Sequence, residues 1–290
     1  MKSPAIAVFG AGGMLGQALV AAARDGSYEK VAAITRKDAD ITDSRAITNA
    51  LSRSAARIAV NCVAVSDVDG CERDPMMAKA VNAEAAGNMA EACHSHNCLM
   101  VHVSTDYVFD GYSRNPYRET DIPNPISVYG ATKLEGERLV ARAAPKQLIV
   151  RTSVLFGAGR ENFVSKVVGK ARRGEPLEVV DDQVGSPTWA PDLALAILDL
   201  VAAGAKGLYH VANSGACSRL ELATAALEIC GIRNAAIKAV KTPPPPQGVA
   251  RRPAFSALDT DKFEQKAQRA MRAWQEALRD YLVGMGEAGE

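Results

Sequence analysis

The alternation of short apolar runs with longer helical patterns constrains this chain more than any other feature. Five apolar runs in the first half are predicted strands: 6–9, 31–34, 58–61, 99–103 and 148–150. Helical periodicity fills the intervals, at about 14–24, 43–53, 75–95 and 127–143. Strands that alternate with helices in this way predict parallel pairing with right-handed crossovers. The predicted fold class is therefore α/β, a Rossmann-type doubly wound parallel sheet.

The second half is less regular and predicts a smaller C-terminal α/β subdomain. Its helical patterns cover about 163–173, 191–203, 218–230 and 262–284. Short strands are predicted near 177–180, 207–211 and 236–240.

A glycine-rich loop, Gly10-Ala11-Gly12-Gly13-Met14-Leu15-Gly16, follows the first predicted strand and opens the first helix. Glycine is needed at such a loop because a pyrophosphate must approach bare backbone at a helix N-terminus. Free N–H groups and the helix dipole favour negative charge there. In this strand–turn–helix position, the loop predicts a dinucleotide site that includes Gly10 and Gly13.

The end of the second predicted strand bears on which dinucleotide binds. An NAD site usually has Asp or Glu about twenty residues after the glycine loop, where the carboxylate binds the ribose 2′-hydroxyl. This sequence has Thr35 and Arg36 instead. A neutral side chain followed by a cation suits a 2′-phosphate, so NADPH is the expected cofactor, and NADH stays an alternative.

Charge and hydropathy exclude several classes of partner. The chain has 34 Lys and Arg against 33 Asp and Glu, a net charge of +1, so we expect binding neither to nucleic acid nor to a membrane surface. No apolar run approaches the ~18 residues of a membrane span. The apolar segment 5–9 is too short for the core of a signal peptide, which favours a cytoplasmic protein.

Six scattered cysteines are typical of reduced cytosolic thiols and not of a disulfide framework. One cluster, Cys93-His94-Ser95-His96-Asn97-Cys98, could be considered as a metal site, but its spacing matches no common zinc pattern. We therefore expect no metal.

The pattern Tyr129-x-x-x-Lys133 lies on a predicted helix, so the phenol and the ammonium share one face. A free phenol has a pKa near ~10, and a neighbouring cation is expected to lower the pKa of Tyr129. Ser104-Thr105-Asp106 ends a predicted strand, at the edge where ligands bind in a doubly wound sheet. The Thr105 hydroxyl could bind a substrate carbonyl there, which completes a Thr–Tyr–Lys constellation.

These motifs give the chain a resemblance to a known family. The loop spacing Gly10-x-x-Gly13-x-x-Gly16 resembles the extended branch of the short-chain dehydrogenase/reductase superfamily. Ser104-Thr105-Asp106-Tyr107-Val108-Phe109-Asp110-Gly111, followed by Tyr129-Gly130-x-x-Lys133, is similar to the dTDP-4-dehydrorhamnose reductase family. Matches such as Arg151-Thr152-Ser153 and Arg252-Pro253 extend the resemblance over about residues 5–285.

The resemblance implies an NAD(P)H-dependent ketoreductase that acts on the 4-keto group of a nucleotide-linked 6-deoxyhexose. It implies that Tyr129 donates a proton, that Lys133 positions the nicotinamide ribose, and that Thr105 binds the carbonyl oxygen. Further cofactor contacts are implied for Met14, Leu15, Asp40, Ile41, Ala64, Val65 and Ser66. Substrate contacts are implied for Thr105, Asp106, Val154 and Arg252.

The resemblance also implies a division of the chain. Residues 1–156 are expected to form the NAD(P)-binding Rossmann domain. Residues 157–290 are expected to form most of the substrate-binding subdomain, with some segments returning to the first domain. Because helices beside the one that carries Tyr129 often pair across a two-fold axis in this superfamily, a homodimer is a further expectation.

Two residues depart from the family pattern. The family commonly has tryptophan at the position of Val154 and an aromatic residue or histidine at the position of Val65. Both positions are expected on the substrate or nicotinamide side. The departures therefore leave the reaction type intact and leave the identity of the sugar open.

Two other functions remain as alternatives. One is an epimerase or dehydratase of the same superfamily, which retains its cofactor and returns the hydride. Dehydratases generally have an acidic pair beside the catalytic hydroxyl, whereas Thr105 is followed here by Asp106 and Tyr107. The other is a non-catalytic regulatory subunit like that of methionine adenosyltransferase, which resembles the same reductase family.

Overall fold

The computed structural model describes residues 4–26 and 28–287. Its first half alternates strands with helices, as the sequence predicts. The strands are β1 (Ile6–Phe9), β2 (Val31–Ile34), β3 (Ile58–Asn61), β4 (Leu99–Thr105) and β5 (Gln147–Thr152). The helices are α1 (Met14–Asp25), α2 (Ser44–Ser54), α3 (Val68–Arg73), α4 (Pro75–Lys79), α5 (Ala85–Ser95) and α6 (Val128–Ala143). A π-helical turn, Ala80–Glu84, joins α4 to α5, so the predicted helix 75–95 is continuous with a local widening.

The second half adds shorter elements. The strands are β6 (Leu155–Phe156), β7 (Leu177–Val180), β8 (Val184–Gly185), β9 (Thr188–Trp189), β10 (Gly207–His210), β11 (Cys217–Ser218) and β12 (Ile237–Val240). The helices are α7 (Phe163–Arg172), α8 (Ala190–Ala202), α9 (Arg219–Ile229), α10 (Asp261–Ala267) and α11 (Trp274–Gly284). The prediction of one helix over 262–284 is wrong, because Gln268 adopts a left-handed conformation (φ 55°) that ends α10.

Six parallel strands form the central sheet in the order β10-β5-β4-β3-β1-β2. The chain moves from β1 to β2 on one side and then to β3 on the other, so the strand order reverses at β1. In an open α/β sheet this reversal creates a crevice at the carboxyl ends of the strands. The Rossmann-type fold expected from the sequence is confirmed.

Helices cover both faces of the sheet. On one face, α1 and α8 bury an apolar cluster that includes Leu15, Leu19, Leu193 and Ile197. On the other face, α2, α5 and α6 bury a second cluster with Ile47, Met89 and Val140 among its members. Because β1, β3 and β4 are buried on both faces, their sequences are mostly apolar and do not alternate, with polar residues at Asn61 and His102 and at the end of β4.

The C-terminal half has its own core but also completes the central sheet. Helices α7, α9 and α11 pack around Phe156, Trp274 and Tyr281. The strand β10, by contrast, pairs with β5, and α8 lies against α1. The chain therefore leaves the central sheet after β5 and returns to it. No helix in the described parts of the chain is long and apolar enough to cross a membrane.

The close packing of α1 on the glycine loop predicts a measurable difference between two substitutions. A Cβ atom at Gly16 would lie 2.1 Å from the carbonyl oxygen of Gly10, whereas a Cβ atom at Gly12 would meet nothing within 4 Å. Gly16→Ala should therefore lower the free energy of unfolding by about 2 kcal/mol or more, and Gly12→Ala should leave it nearly unchanged. Thermal unfolding without cofactor measures both. Equal melting temperatures for the two variants would contradict this packing.

Candidate active site

Two joined clefts open at the carboxyl edge of the central sheet. The first, with a volume of about 540 Å³, lies over the ends of β1, β2 and β3. The second, of about 450 Å³, lies over β4 and reaches the C-terminal half. Both clefts are lined by Gly13, Cys62, Val63, Ala64 and Arg160, so they form one continuous groove.

The first cleft contains the glycine loop. Gly10 turns the chain after β1 with φ +80°, a conformation that favours glycine. Gly13 is the N-cap of α1 and provides no side-chain hydrogen bond to the helix, so the N–H groups of the first turn have no capping side chain. A bare helix N-terminus beside a loop without side chains fits the diphosphate of a dinucleotide such as NADPH.

The end of β2 forms the rim of the first cleft. Thr35, Arg36, Asp40 and Ile41 line it, as the sequence predicts. The Arg36 side chain is 88% exposed and lies 3.7 Å from Asp40 Oδ2. Asp38 accepts hydrogen bonds from the backbone N–H and the hydroxyl of Thr35, and it does not line the cleft. Arg36 is therefore the side chain at this edge that is available to bind a ligand.

The second cleft brings together Thr105, Tyr129 and Lys133. Ser127 caps α6 by accepting a hydrogen bond from the backbone N–H of Gly130, and this fixes the turn that carries Tyr129. The Tyr129 ring packs edge-on against Tyr107, with ring centroids 5.8 Å apart. Met14, Leu15 and Ser66, which were expected at the cofactor, also line this cleft.

A buried ion pair holds α6 against the sheet. Arg151 on β5 donates to both carboxylate oxygens of Glu137 on α6, at 2.9 and 2.7 Å. Ser104 on β4 also donates to Glu137, and the Arg151 guanidinium lies over the Phe109 ring. This arrangement fixes the position of α6 relative to β4, the strand that carries Thr105.

Tyr129 differs from the sequence expectation in its pKa. Burial raises the pKa of the phenol above its usual value, while a hydrogen bond with Thr105 works in the opposite direction. The prediction that the cation of Lys133 lowers this pKa is wrong for the free protein, because the Lys133 ammonium is turned to the sheet. The phenol stays protonated over the physiological pH range.

Lys133 is almost fully buried, with 1% of its surface exposed. Its Nζ donates to the carbonyl oxygen of Val103 at 2.7 Å and lies 3.3 Å from Nε2 of His102. Burial lowers the pKa of Lys133 to about 8, although the negative charge of Glu137 favours the ammonium.

Asp106 lines the second cleft but is 2% exposed. Its carboxylate accepts hydrogen bonds from the hydroxyls of Thr105, Ser153 and Ser256. Burial raises the pKa of Asp106, and these three donors oppose the rise. The carboxylate is therefore arranged to orient hydroxyl groups around the cleft, and a contact of Asp106 with substrate stays a prediction.

Two expected substrate residues lie in different environments. Val154 lines the second cleft with φ +43°, a left-handed conformation that is strained for a β-branched residue. Arg252 is not brought to this cleft. Its Nη2 donates to both carboxylate oxygens of Asp69 at 3.0 Å, and the side chain lines a neighbouring groove with Pro243. A substrate contact of Arg252 stays a prediction.

Two polar residues of this region were not predicted from the sequence. Arg219 lines the second cleft at the start of α9, where Ser218 and Glu221 form a capping box. That Ser-x-x-Glu spacing could have located the helix start, and with it Arg219. His102 is buried behind Lys133 on β4, and a histidine in the middle of an apolar strand was the available signal.

The Cys93–Cys98 cluster lies where the sequence places it, between α5 and β4, away from both clefts. Both thiols are buried. Among the described residues, no group of three His, Cys, Asp or Glu side chains is arranged to hold a metal ion.

Comparisons with known proteins place the chain among nucleotide-sugar reductases. The family model described as RmlD substrate binding domain matches residues 4–286. A dTDP-4-keto-6-deoxy-D-glucose reductase of Streptomyces niveus is 38% identical and covers 93% of this chain and 94% of its own. The crystal structure of a dTDP-4-dehydrorhamnose reductase from Clostridium acetobutylicum is 33% identical, has a TM-score of 0.92 and covers 98% and 100% of the two chains. A dTDP-4-dehydrorhamnose reductase from Bacillus anthracis, solved in complex with NADP, is 32% identical, with a TM-score of 0.91 and coverage of 98% and 99%.

The exposed cation at the end of β2 leads to a prediction about cofactor choice. Arg36→Ala should weaken binding of NADPH by ~1–3 kcal/mol more than binding of NADH, since only NADPH carries the 2′-phosphate. Lys37→Ala is the matched control, because Lys37 is an adjacent cation that does not line the cleft. Dissociation constants from fluorescence titration decide the matter. Equal weakening of both cofactors would show that Arg36 does not meet the 2′-phosphate.

Proposed function

This chain belongs to the dTDP-4-dehydrorhamnose reductase family, and we propose that it reduces the 4-keto group of a nucleotide-linked 6-deoxyhexose with NADPH. The observation that carries the proposal is the meeting of Thr105, Tyr129 and Lys133 in a cleft continuous with the glycine-loop cleft. A keto sugar in the second cleft would then lie next to a cofactor in the first.

Tyr129 acts as the proton donor. NADPH, when bound, supplies the hydride that reduces the carbonyl carbon. The carbonyl oxygen then becomes an alkoxide, which is far more basic than a phenolate. A raised pKa keeps the Tyr129 phenol protonated until that moment, so its proton is available to the alkoxide.

Thr105 and Asp106 prepare the cleft for the carbonyl oxygen. The Thr105 hydroxyl donates to Asp106 Oδ1 at 3.0 Å and accepts from the backbone N–H of Tyr107 at 3.2 Å. These two contacts hold the hydroxyl in the second cleft, and its single proton turns from Asp106 to the carbonyl oxygen when the substrate binds. Lys133 lies one helical turn from Tyr129 and positions the nicotinamide ribose.

Arg219 supports the nucleotide-linked part of the proposal. Its guanidinium stacks over the Phe163 ring at 5.2 Å and lies against Tyr107 in the second cleft. Among the described residues, no carboxylate forms an ion pair with Arg219. A half-buried guanidinium without a counter-ion suits the diphosphate that links a nucleoside to a sugar.

Val154 bears on which sugar fits. Its side chain packs toward Gly185, where an added Cβ would lie 2.8 Å from Val154 Cγ2. A valine at this point leaves more room beside the sugar than the tryptophan common in the family. Val65 lines the first cleft, where a valine likewise leaves more room than the aromatic residue or histidine common in the family.

The two alternative functions predict different cofactor balances. A reductase consumes one NADPH for each sugar reduced, whereas an epimerase or dehydratase returns its hydride and shows no net consumption. A regulatory subunit would not need an intact Thr105, Tyr129 and Lys133. NADPH oxidation against a panel of nucleotide-linked 4-keto sugars therefore separates a reductase from both alternatives, and copurification with a larger synthetase would distinguish the regulatory subunit.

The proposal also covers the domain division, the cellular setting and the oligomeric state of the chain. We assign the NAD(P)-binding domain to residues 1–156 and most of the substrate-binding subdomain to residues 157–290. The six cysteines without a disulfide in the structure support a reducing, cytoplasmic setting. A homodimer stays a prediction, which sedimentation would test.

The proton-donor role gives a direct prediction. Tyr129→Phe should lower kcat by ~10²–10⁴-fold, because phenylalanine keeps the ring and removes the donor. The dissociation constant for NADPH should change little. Thr105→Val should lose a smaller factor, since the proton source remains. If Tyr129→Phe oxidised NADPH at the wild-type rate on the best substrate, the proposed mechanism would be wrong.

The diphosphate role of Arg219 is testable without turnover. Arg219→Gln should weaken binding of dTDP by ~1.5–3 kcal/mol and raise KM more than it lowers kcat, because a charge-assisted contact is lost. Arg138→Gln, on the exposed surface of α6, is the control and should bind dTDP as the wild type does. Unchanged dTDP binding in Arg219→Gln would remove Arg219 from the substrate site.

A further inference from the structure

His102 lies behind Lys133 and has no part in the chemistry described above. It is fully buried on β4, directly opposite Asn61 in the register of β3 and β4. Its Nδ1 lies 3.3 Å from Nδ2 of Asn61, and its Nε2 lies 3.3 Å from Nζ of Lys133. Asn61, His102 and Lys133 therefore form a buried row of polar groups that ends at the catalytic lysine.

The proton positions in this row follow from Asn61. Its Oδ1 accepts a hydrogen bond from the backbone N–H of Val63 at 3.0 Å, so the group turned toward His102 is the NH₂, which can only donate. His102 Nδ1 must therefore accept. Burial keeps the pKa of His102 well below its usual value, so the ring is neutral and carries one proton. That proton lies on Nε2, which faces Lys133.

An Nε2–H group forms a favourable contact only with a lone pair. An ammonium has no lone pair, whereas an amine has one. The second contact of Nζ, to the carbonyl oxygen of Val103, needs only an N–H and is available to both forms. The orientation of His102 therefore favours the uncharged form of Lys133.

The other fully buried histidine of the described chain shows the opposite arrangement. His210 Nδ1 lies 3.0 Å from the carbonyl oxygen of Tyr117, which can only accept, so Nδ1 carries the proton. Its Nε2 is then a lone pair that faces the guanidinium of Arg151 at 3.4 Å. His210 thus presents an acceptor to Arg151, which is always charged. His102 presents a donor to Lys133, which can lose its charge.

We propose that His102 favours the uncharged amine of Lys133 in the cofactor-free protein, so that Nζ is only partly protonated at mildly alkaline pH, and that NADPH binding draws a proton from solvent onto the amine that remains. The proton adds to the amine lone pair, and water or a buffer acid supplies it. The negative charge and the hydroxyl oxygens of NADPH favour the ammonium once it forms. This inference rests on the proposed function only in taking NADPH as the ligand.

Three titratable side chains besides His102 face Lys133. The titration expected near pH 8 is assigned to Lys133 and not to these neighbours. Glu137, one turn further along α6, is paired with Arg151. Burial raises the pKa of the Cys62 thiol, which follows β3, to about 12. Burial also raises the pKa of the Tyr129 phenol, one turn earlier on α6. The phosphate groups of NADPH titrate near pH ~6 or below.

Calorimetric titration of NADPH into the protein, in buffers of different ionisation enthalpy, measures the proton directly. With a free-state pKa of about 8, wild-type protein should take up about half a proton per site at pH 8. The dissociation constant should rise about tenfold from pH 7 to pH 9 as the amine fraction grows. NADPH binding without proton uptake at pH 8 would overturn the inference alone, whereas no NADPH binding at all would also overturn the proposed function.

A variant that moves the ring proton of His102 from Nε2 to Nδ1 provides the sharper test. In Asn61→Asp, a carboxylate oxygen faces His102 and accepts from Nδ1–H, so Nε2 becomes an acceptor for the Lys133 ammonium. Proton uptake at pH 8 should disappear, and the dissociation constant should become flat between pH 7 and pH 9. If Asn61→Asp unfolds at too low a temperature to be studied, His102→Gln is the alternative variant. Its amide oxygen can accept a hydrogen bond from the Lys133 ammonium, so it should also lose the proton uptake.

His210→Gln is the control, since it changes a buried histidine at a site away from Lys133. It should keep the wild-type proton uptake. Persistent uptake in Asn61→Asp and His102→Gln would show that His102 does not set the charge of Lys133.

Discussion

The buried pair of Arg151 and Glu137 is the interaction on which the arrangement of this site depends. It links β5 to α6 inside the protein, and Ser104 joins it from β4. Removing one partner of such a pair leaves an uncompensated buried charge, at a cost of about 3–5 kcal/mol. Tyr129 and Lys133 lie on the same helix as Glu137, so this ion pair, together with the apolar packing of α6, sets the distance from the helix to Thr105.

Burial has opposite consequences for the two titratable groups on α6. It raises the pKa of the Tyr129 phenol and lowers that of the Lys133 ammonium. Both shifts favour the neutral form, since a low-dielectric surrounding penalises charge of either sign. Tyr129 and Lys133 therefore add little net charge to the second cleft of the free protein, and a ligand that carries phosphates supplies a counter-charge for Arg219.

Sequence alone predicted the elements that rest on local patterns. The limits of β1, β2 and β3 and the cleft positions of Gly13, Thr105 and Tyr129 followed from periodicity, from loop chemistry and from the family resemblance. It missed the break at Gln268, because a left-handed residue other than glycine leaves no mark in an otherwise helical pattern. It also missed the direction of the Tyr129 pKa shift and the presence of Arg219 in the second cleft. Both depend on what tertiary packing brings near a group, which spacing along the chain does not encode.

The return of β10 to the central sheet has a consequence for how such proteins diversify. Helix α8 and strand β10 belong to the second half of the sequence, yet they cover α1 and extend the sheet beside β5. A single junction near residue 156 would therefore not be enough to replace the C-terminal half with that of another protein. The transplanted piece would have to bring its own version of α8 and β10, already fitted to the recipient sheet. Gradual replacement of residues such as Val154 and Arg219 is the simpler route by which this architecture acquires a different sugar.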